Sequence, residues 1–463
     1  MNNNVMGTRK GALILSALVV AAVCSGSPAV SVAAETQAEV DTGIVFDDVR
    51  VLDTRTGRLS APANVLVRGN RIERIAQGSI SPELAGTARV IQGGGRTLMP
   101  GLIDAHAHVT MATMPPAVFM SADIGYINLV AAQEARDTLM RGFTSIRDLS
   151  GPAFSIKRGI DEGLIEGPRI WPSGAMISQT AGHGDFRMPY DVPAPANAHP
   201  SRGETINAGV IADGPDEVRK RVREQLMLGA SQIKLAAGGG VSSNYDPLDV
   251  AQYTEAEFRA AVEAAENWGT YVTVHAYTPK AIQTAIRGGV RVIDHGQLID
   301  DATARIMADQ GIWLSLQPFL DDEDAIPFPD GSENRRKQLQ MTEGTDNAYA
   351  LARRYKLKTA WGTDTLFDAD LAKRQNAQLA KMVRWYSPAE VIRMATLQNA
   401  ELLALSGART PYPGVLGVVE EGALADLILV DGNPVADLTL IENPQRNFVV
   451  IMKDGRVYKN LLD

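Results

Sequence analysis

Of the six histidines in the chain, His106 and His108 lie two residues apart, in Pro100-Gly101-Leu102-Ile103-Asp104-Ala105-His106-Ala107-His108. On an extended segment, residues at that spacing point the same way. Both imidazoles can therefore reach one cation. His275 closes the β-rich run Tyr271-Val272-Thr273-Val274, His295 follows Val292-Ile293, and Asp364 follows Trp361-Gly362-Thr363. Singly, each histidine reads equally well as a ligand or as an ordinary residue, hydrogen-bonded in the interior or exposed on the surface. Four histidines and an aspartate that all sit at strand ends point instead to cation binding. Nitrogen and oxygen donors without a thiolate suit zinc, with manganese or cobalt as substitutes.

Lys234 lies inside the apolar run Gln232-Ile233-Lys234-Leu235-Ala236-Ala237. A lysine facing inward there needs a partner or a change of charge. Three readings are open: a salt bridge, a contact with substrate, or carbamylation by carbon dioxide, which turns the ammonium into an anionic oxygen ligand. Gly238, Gly239 and Gly240 follow and are expected to make room for substrate backbone. No Gly-Lys-Ser/Thr succeeds them, which argues against a phosphate-binding loop.

The elements that must hold these residues are legible in outline. Between residues 97 and 407, eight strand-like runs alternate with helix-like stretches: Leu98-Met99, Ser145 to Arg147, Arg169 to Trp171, Gln232 to Leu235, Tyr271 to Val274, Val292-Ile293, Trp313 to Leu316 and Thr359 to Trp361. Pro215 to Leu228 and Thr254 to Trp268 are the clearest helices. This pattern predicts an α/β fold, a closed parallel (β/α)8 TIM barrel, whose strand ends converge on one face. Short β-rich runs at residues 35–96 and 408–463 predict one small β-sandwich built from both ends of the chain. The stretches Asp191 to Pro200 and Asp321 to Asn334 are expected to be loops over the barrel mouth.

Composition bounds the rest. With 463 residues, 45% hydrophobic and 21% charged, the chain can bury a large core. A net charge of -9 and no basic block speak against nucleic acid as a partner. Residues 1–34 have a short basic start at Arg9-Lys10, an apolar run from Gly11 to Cys24 and small residues at Val32-Ala33-Ala34. That is the layout of a cleavable signal peptide, so a secreted or periplasmic protein without a membrane anchor is expected. Cys24 is the one cysteine, so neither disulfides nor a catalytic cysteine is expected in the mature chain.

The ordered set His106-x-His108, Lys234, His275, His295 and Asp364, flanked by β segments at both ends, resembles the amidohydrolase superfamily. Ser178-Gln179-Thr180-Ala181-Gly182-His183-Gly184-Asp185 and Val274-His275-Ala276-Tyr277-Thr278 resemble its branch of secreted Xaa-Pro dipeptidases, carboxypeptidases and ochratoxin-hydrolysing enzymes. The resemblance implies two divalent metal ions, with Zn2+ the expected ion. His106, His108 and Asp364 would hold one and His275 and His295 the other, with carbamylated Lys234 and a hydroxide bridging them. It further implies hydrolysis of an amide in a dipeptide or N-acyl amino acid, a small-molecule substrate. Asp364 would move protons, and His183 would contact substrate or the developing tetrahedral centre. Tyr245 and Tyr277 are candidate donors to a substrate carboxylate. Relatives of this kind often assemble as homo-oligomers. Two alternatives remain: a one-ion cyclic-amide hydrolase or deaminase related to imidazolonepropionase, and a barrel that binds ligand without catalysis.

Overall fold

A computed structural model describes residues 43–193 and 198–462. The expected signal segment, Cys24 included, lies outside the described residues, as does part of the Asp191 to Pro200 stretch. Both ends of the chain meet in one eight-stranded sheet. Its strands are β1 (Ile44–Asp53), β2 (Arg58–Arg68), β3 (Arg71–Ala76), β4 (Arg89–Gln92) and β5 (Thr97–Pro100). The central strands follow as β6 (Leu102–Ala107), β7 (Phe143–Asp148), β8 (Arg169–Pro172), β9 (Met176–Ser178), β10 (Gly209–Ile211), β11 (Ile233–Ala236), β12 (Val272–Ala276), β13 (Val292–His295), β14 (Trp313–Leu316) and β15 (Lys358–Trp361). The sheet is completed from the far end by β16 (Leu427–Val430), β17 (Phe448–Lys453) and β18 (Arg456–Asn460). Its order is β18-β17-β16-β5-β1-β2-β3, with β4 parallel to the start of β1.

Strand alternation decides where β5 belongs. Leu98 packs with Phe46, Val65 and Leu427 in the core of the terminal sheet, while Met99 faces the core of the central strands. Leu98-Met99 reads in the sequence as the first central strand. That run is instead the joint: β5 pairs with β1 and β16, and the first central strand is β6. The sequence hid this because two buried extended runs follow one another across Pro100-Gly101. Gly101 allows the close passage, since a Cβ there would lie 2.1 Å from Thr144 Oγ1.

The central strands form two parallel sheets, β6-β7-β8 and β10-β9-β11-β12-β13-β14-β15. Each strand of β11 to β15 is four or five residues long and fully buried, apart from Lys358. That is the signature of parallel strands covered on both faces. The helix Pro215–Leu228 starts with proline in its first turn and stops at Gly229, whose φ of 104° few other residues adopt. Glu255–Glu266 is launched by a capping box between Thr254 and Glu257. Among the described residues no helix is long and apolar enough to cross a membrane.

Candidate active site

Backbone geometry brings the ligand candidates together. His106 and, just beyond the strand, His108 project from the end of β6. His275 lies on β12 and His295 ends β13, one position apart in register, with Ala276 opposite His295. Asp364 lies three residues beyond β15. Gly362 lets that segment press onto β6: a Cβ there would meet the backbone nitrogen of His106 at 2.4 Å. The Asp364 amide then donates to the His106 carbonyl at 2.8 Å. His295 and Asp364 both have positive φ, 80° and 50°. Each such conformation costs roughly 1–3 kcal/mol in a non-glycine residue and persists only where the surroundings impose it.

Asp364 Oδ1 lies 2.8 Å from His108 Nε2 and 3.3 Å from His106 Nε2, and its Oδ2 lies 3.9 Å from His295 Nδ1. The ligating atoms of His106, His108 and Asp364 all fall within 4.8 Å of one another. The His106 and His295 rings are 4.9 Å apart and those of His275 and His295 4.4 Å. Two of these rings are already engaged on one side. His275 Nε2 donates to the Gly239 carbonyl at 3.1 Å, which leaves its Nδ1 lone pair free. The Gln317 amide and Asp294 flank His106 Nδ1 at 3.3 and 3.6 Å. His295 Nδ1 is buried and makes no hydrogen bond. An orphaned ring nitrogen among converging imidazoles and a carboxylate fits a bound cation.

The electrostatics agree. Burial, reinforced by the nearby Lys234, holds His106 well below its ordinary pKa; burial, reinforced by His183, does the same to His275. Burial likewise brings His295 down to about 4 and His183 to about 3. These four are neutral imidazoles at neutral pH, the form that binds metal. Burial works against the Asp364 anion, but the His108 hydrogen bond and the neighbouring His295 keep its pKa below the usual range.

Lys234 is buried at the same cluster, its Nζ 2.7 Å from Asp294 Oδ2. His183 stacks on His275 with ring centres 3.9 Å apart, and its Nδ1 lies 2.9 Å from Ser243 Oγ. Tyr277 is buried, edge-on to His275 at 4.9 Å. Tyr245 stands apart on the rim, 39% exposed, with its hydroxyl donating to the Arg187 carbonyl at 2.8 Å. Two of the glycines after β11, Gly239 and Gly240, make room for the protein's own groups. A Cβ on Gly240 would lie 1.8 Å from His183 Nδ1, and one on Gly239 would lie 1.8 Å from the Pro247 carbonyl oxygen. His199, which carries no motif, is exposed.

The sequence reading missed Arg147 and Asp294. Both are fully buried, and they pair at 2.5 Å beneath the cluster. The available signal was a charge of each sign within buried strands, each of which demands a partner.

A cavity of about 560 Å³ opens above these groups. It is lined by His106, His183, His275, Tyr277 and Asp364, and its outer wall is apolar, with Phe119, Phe186, Phe319 and Phe328. The loop expected over the mouth supplies residues 324–328 of that wall. The volume suits a small molecule. Besides Lys234, the lining carries Arg187 and Lys381, each paired already, Arg187 with Asp185 at 2.7 Å and Lys381 with Asp322 at 2.6 Å.

Buried imidazoles and a carboxylate at the ends of parallel strands, beneath a small-molecule cavity, fit a metal-assisted hydrolase class of site. A sequence model of the amidohydrolase family matches residues 97–461. The chain belongs to that family and is a hydrolase. It is 31% identical over 375 residues to ochratoxinase of Aspergillus niger, covering 78% of this chain and 75% of that one. Among solved structures, an amidohydrolase superimposes with a TM-score of 0.82 at 36% identity, over 91% of this chain and all of its own. A prolidase crystallised with N-methylphosphonate-L-proline gives 0.82 at 32% identity, over 90% of this chain and all of its own.

Proposed function

We propose that the protein hydrolyses the amide bond of dipeptides or N-acyl amino acids and releases a free amino acid. The observation that carries this reading is the meeting of His106, His108 and Asp364 with His275, His295 and Lys234 beneath one small-molecule cavity. His106, His108 and Asp364 would hold one divalent cation, and His275 and His295 a second. Lys234 would serve both as a carbamate, formed when its ammonium loses two protons in all and the Nζ lone pair bonds the carbon of carbon dioxide, with one N–H remaining. Zinc suits this nitrogen and oxygen set. Such ions, when bound, supply Lewis acidity that brings a shared water towards neutral pKa and polarises the scissile carbonyl.

The chain's own groups do the rest. Asp364, an anion beside His108, accepts the proton of the attacking water and delivers it to the leaving amine. His183, fixed by its stack on His275 and by Ser243, meets the substrate at the reacting end of the cavity. Tyr277 offers a phenolic hydrogen bond there, and Tyr245 a donor at the rim. The phenylalanine-rich wall favours an apolar acyl or side-chain group. Ochratoxin A, an N-acyl phenylalanine, is thus one candidate substrate.

The two parallel sheets are read here as one closed (β/α)8 barrel. Asn399 supports closure, its amide reaching the Ile103 carbonyl of β6 at 2.7 Å and the Trp361 carbonyl of β15 at 2.8 Å. On the other side, Gln232 reaches the Trp171 carbonyl at 2.8 Å, tying β8 to β11. The terminal sheet, with one core drawn from β1 to β5 and β16 to β17, is read as curling into the small sandwich domain. Residues 1–34 are read as a signal peptide, and the enzyme as a homo-oligomer that works outside the cytoplasm, secreted or periplasmic.

A one-ion reading, of the cyclic-amide hydrolase or deaminase kind, is favoured by the tightness of the His106–His108–Asp364 set alone. The substrate claim is tested by incubating the purified protein with a panel of dipeptides, N-acyl amino acids and ochratoxin A and assaying the free amino acid. Release from at least one of them is expected. No release above buffer from any of them retires the claim.

A further inference from the structure

Around Lys234 lies a buried ionic cluster whose other members, Asp294 and Arg147, the reaction described so far does not use. Asp294 is its centre. Its Oδ2 accepts from Lys234 Nζ at 2.7 Å and from Thr273 Oγ1 at 2.6 Å. Its Oδ1 accepts from an Arg147 guanidinium nitrogen at 2.5 Å and lies 3.6 Å from His106 Nδ1. Arg147 is clamped in turn: its Nε donates to the Ala105 carbonyl at 2.5 Å, and the Tyr271 hydroxyl lies 3.3 Å away. Arg147 and Asp294 are both fully buried, and Lys234 is 2% exposed.

Charges are costly in such a place. An apolar set of similar volume would stabilise a core at least as well. What an ionic cluster supplies instead is direction. Asp294 immediately precedes His295, and its two oxygens face residues of β6, β7, β11 and β12. One carboxylate therefore fixes Lys234 relative to His106 and His295 at once.

We infer that Asp294 is a positioning residue that holds the Lys234 nitrogen against the ion-binding side chains, with Arg147 and Thr273 fixing Asp294 in turn. The inference rests on the proposed carbamate. Chemistry makes the contact durable: the ammonium and the carbamate nitrogen both carry an N–H, so one acceptor serves Lys234 before and after carbon dioxide is added. Arg147 offsets the repulsion between the two anions.

The test compares the full chain with its Asp294→Asn and Thr273→Val variants. It uses three readouts: the carbamate signal in carbon-13 NMR after exchange with labelled bicarbonate, metal ions per chain, and the split between kcat and KM. Wild type is expected to give the signal. Asp294→Asn is expected to lose it, to fall from two ions towards one, and to lower kcat by about 10–100-fold with KM little changed. Thr273→Val keeps its shape and removes one hydrogen bond to Oδ2, so it is expected to lose ions faster on dialysis against a chelator. This arm carries the test should Asp294→Asn fail to fold. An unchanged carbamate signal and ion content in Asp294→Asn, or wild-type ion retention in Thr273→Val, overturns the positioning role. Absence of the signal from wild type overturns the carbamate reading beneath it.

Discussion

Asp364→Asn is expected to lower kcat for amide hydrolysis by about 10²–10⁴-fold, the range for a positioned acid–base group. KM should change little, and metal should remain bound. Asparagine has the same outline and tolerates the positive φ of 50° that this position imposes. The backbone bond to the His106 carbonyl is untouched. What is lost is the anion that faces His108 at 2.8 Å and, in the proposed reaction, takes and returns the proton. Steady-state kinetics on a released amino acid, run beside metal analysis of the same preparation, checks this. A variant that keeps most of its kcat would move the proton-transfer role elsewhere, with His183 the next group in the cavity.

Arg147→Met should cost about 3–5 kcal/mol of folding stability, the penalty for breaking a buried ion pair from one side. Methionine fills most of the space of the arginine stem, so the loss is electrostatic more than steric. Asp294 would retain Lys234 and Thr273 but lose the guanidinium that, despite burial, holds its pKa down at about 2 together with Lys234. The Ala105 carbonyl, beside His106, would also lose its donor. Denaturant unfolding followed by circular dichroism reads the effect. A shift within about 0.5 kcal/mol of wild type, the range of an ordinary surface substitution, would contradict it.

Much of this was legible before any coordinates. The His-x-His pair, His275 on β12, His295 at the end of β13, Lys234 inside β11 and Asp364 beyond β15 announced themselves by residue type against an apolar background. The helices at 215–228 and 255–266 carried their own caps. Other features could not be read locally. The role of Thr97–Pro100 depends on whether its partner is β16, more than 300 residues away, or β7, and a buried extended run fits either. The strands β9 and β10 are three residues long, too short for any periodicity. Gly239 and Gly240 look like room for a ligand, but what fills the space is Pro247 and His183, which only the folded chain reveals. Arg147 and Asp294 are ordinary residues until their side chains are found 2.5 Å apart in the interior.

The count of tightly bound divalent ions per chain, measured on the purified full-length protein after exhaustive dialysis, tests the site most directly. Two is the value expected when His106, His108 and Asp364 share the work with His275, His295 and a modified Lys234. One would make Lys234 only the salt-bridge partner of Asp294 and favour the single-ion alternative; none would contradict a metal centre altogether.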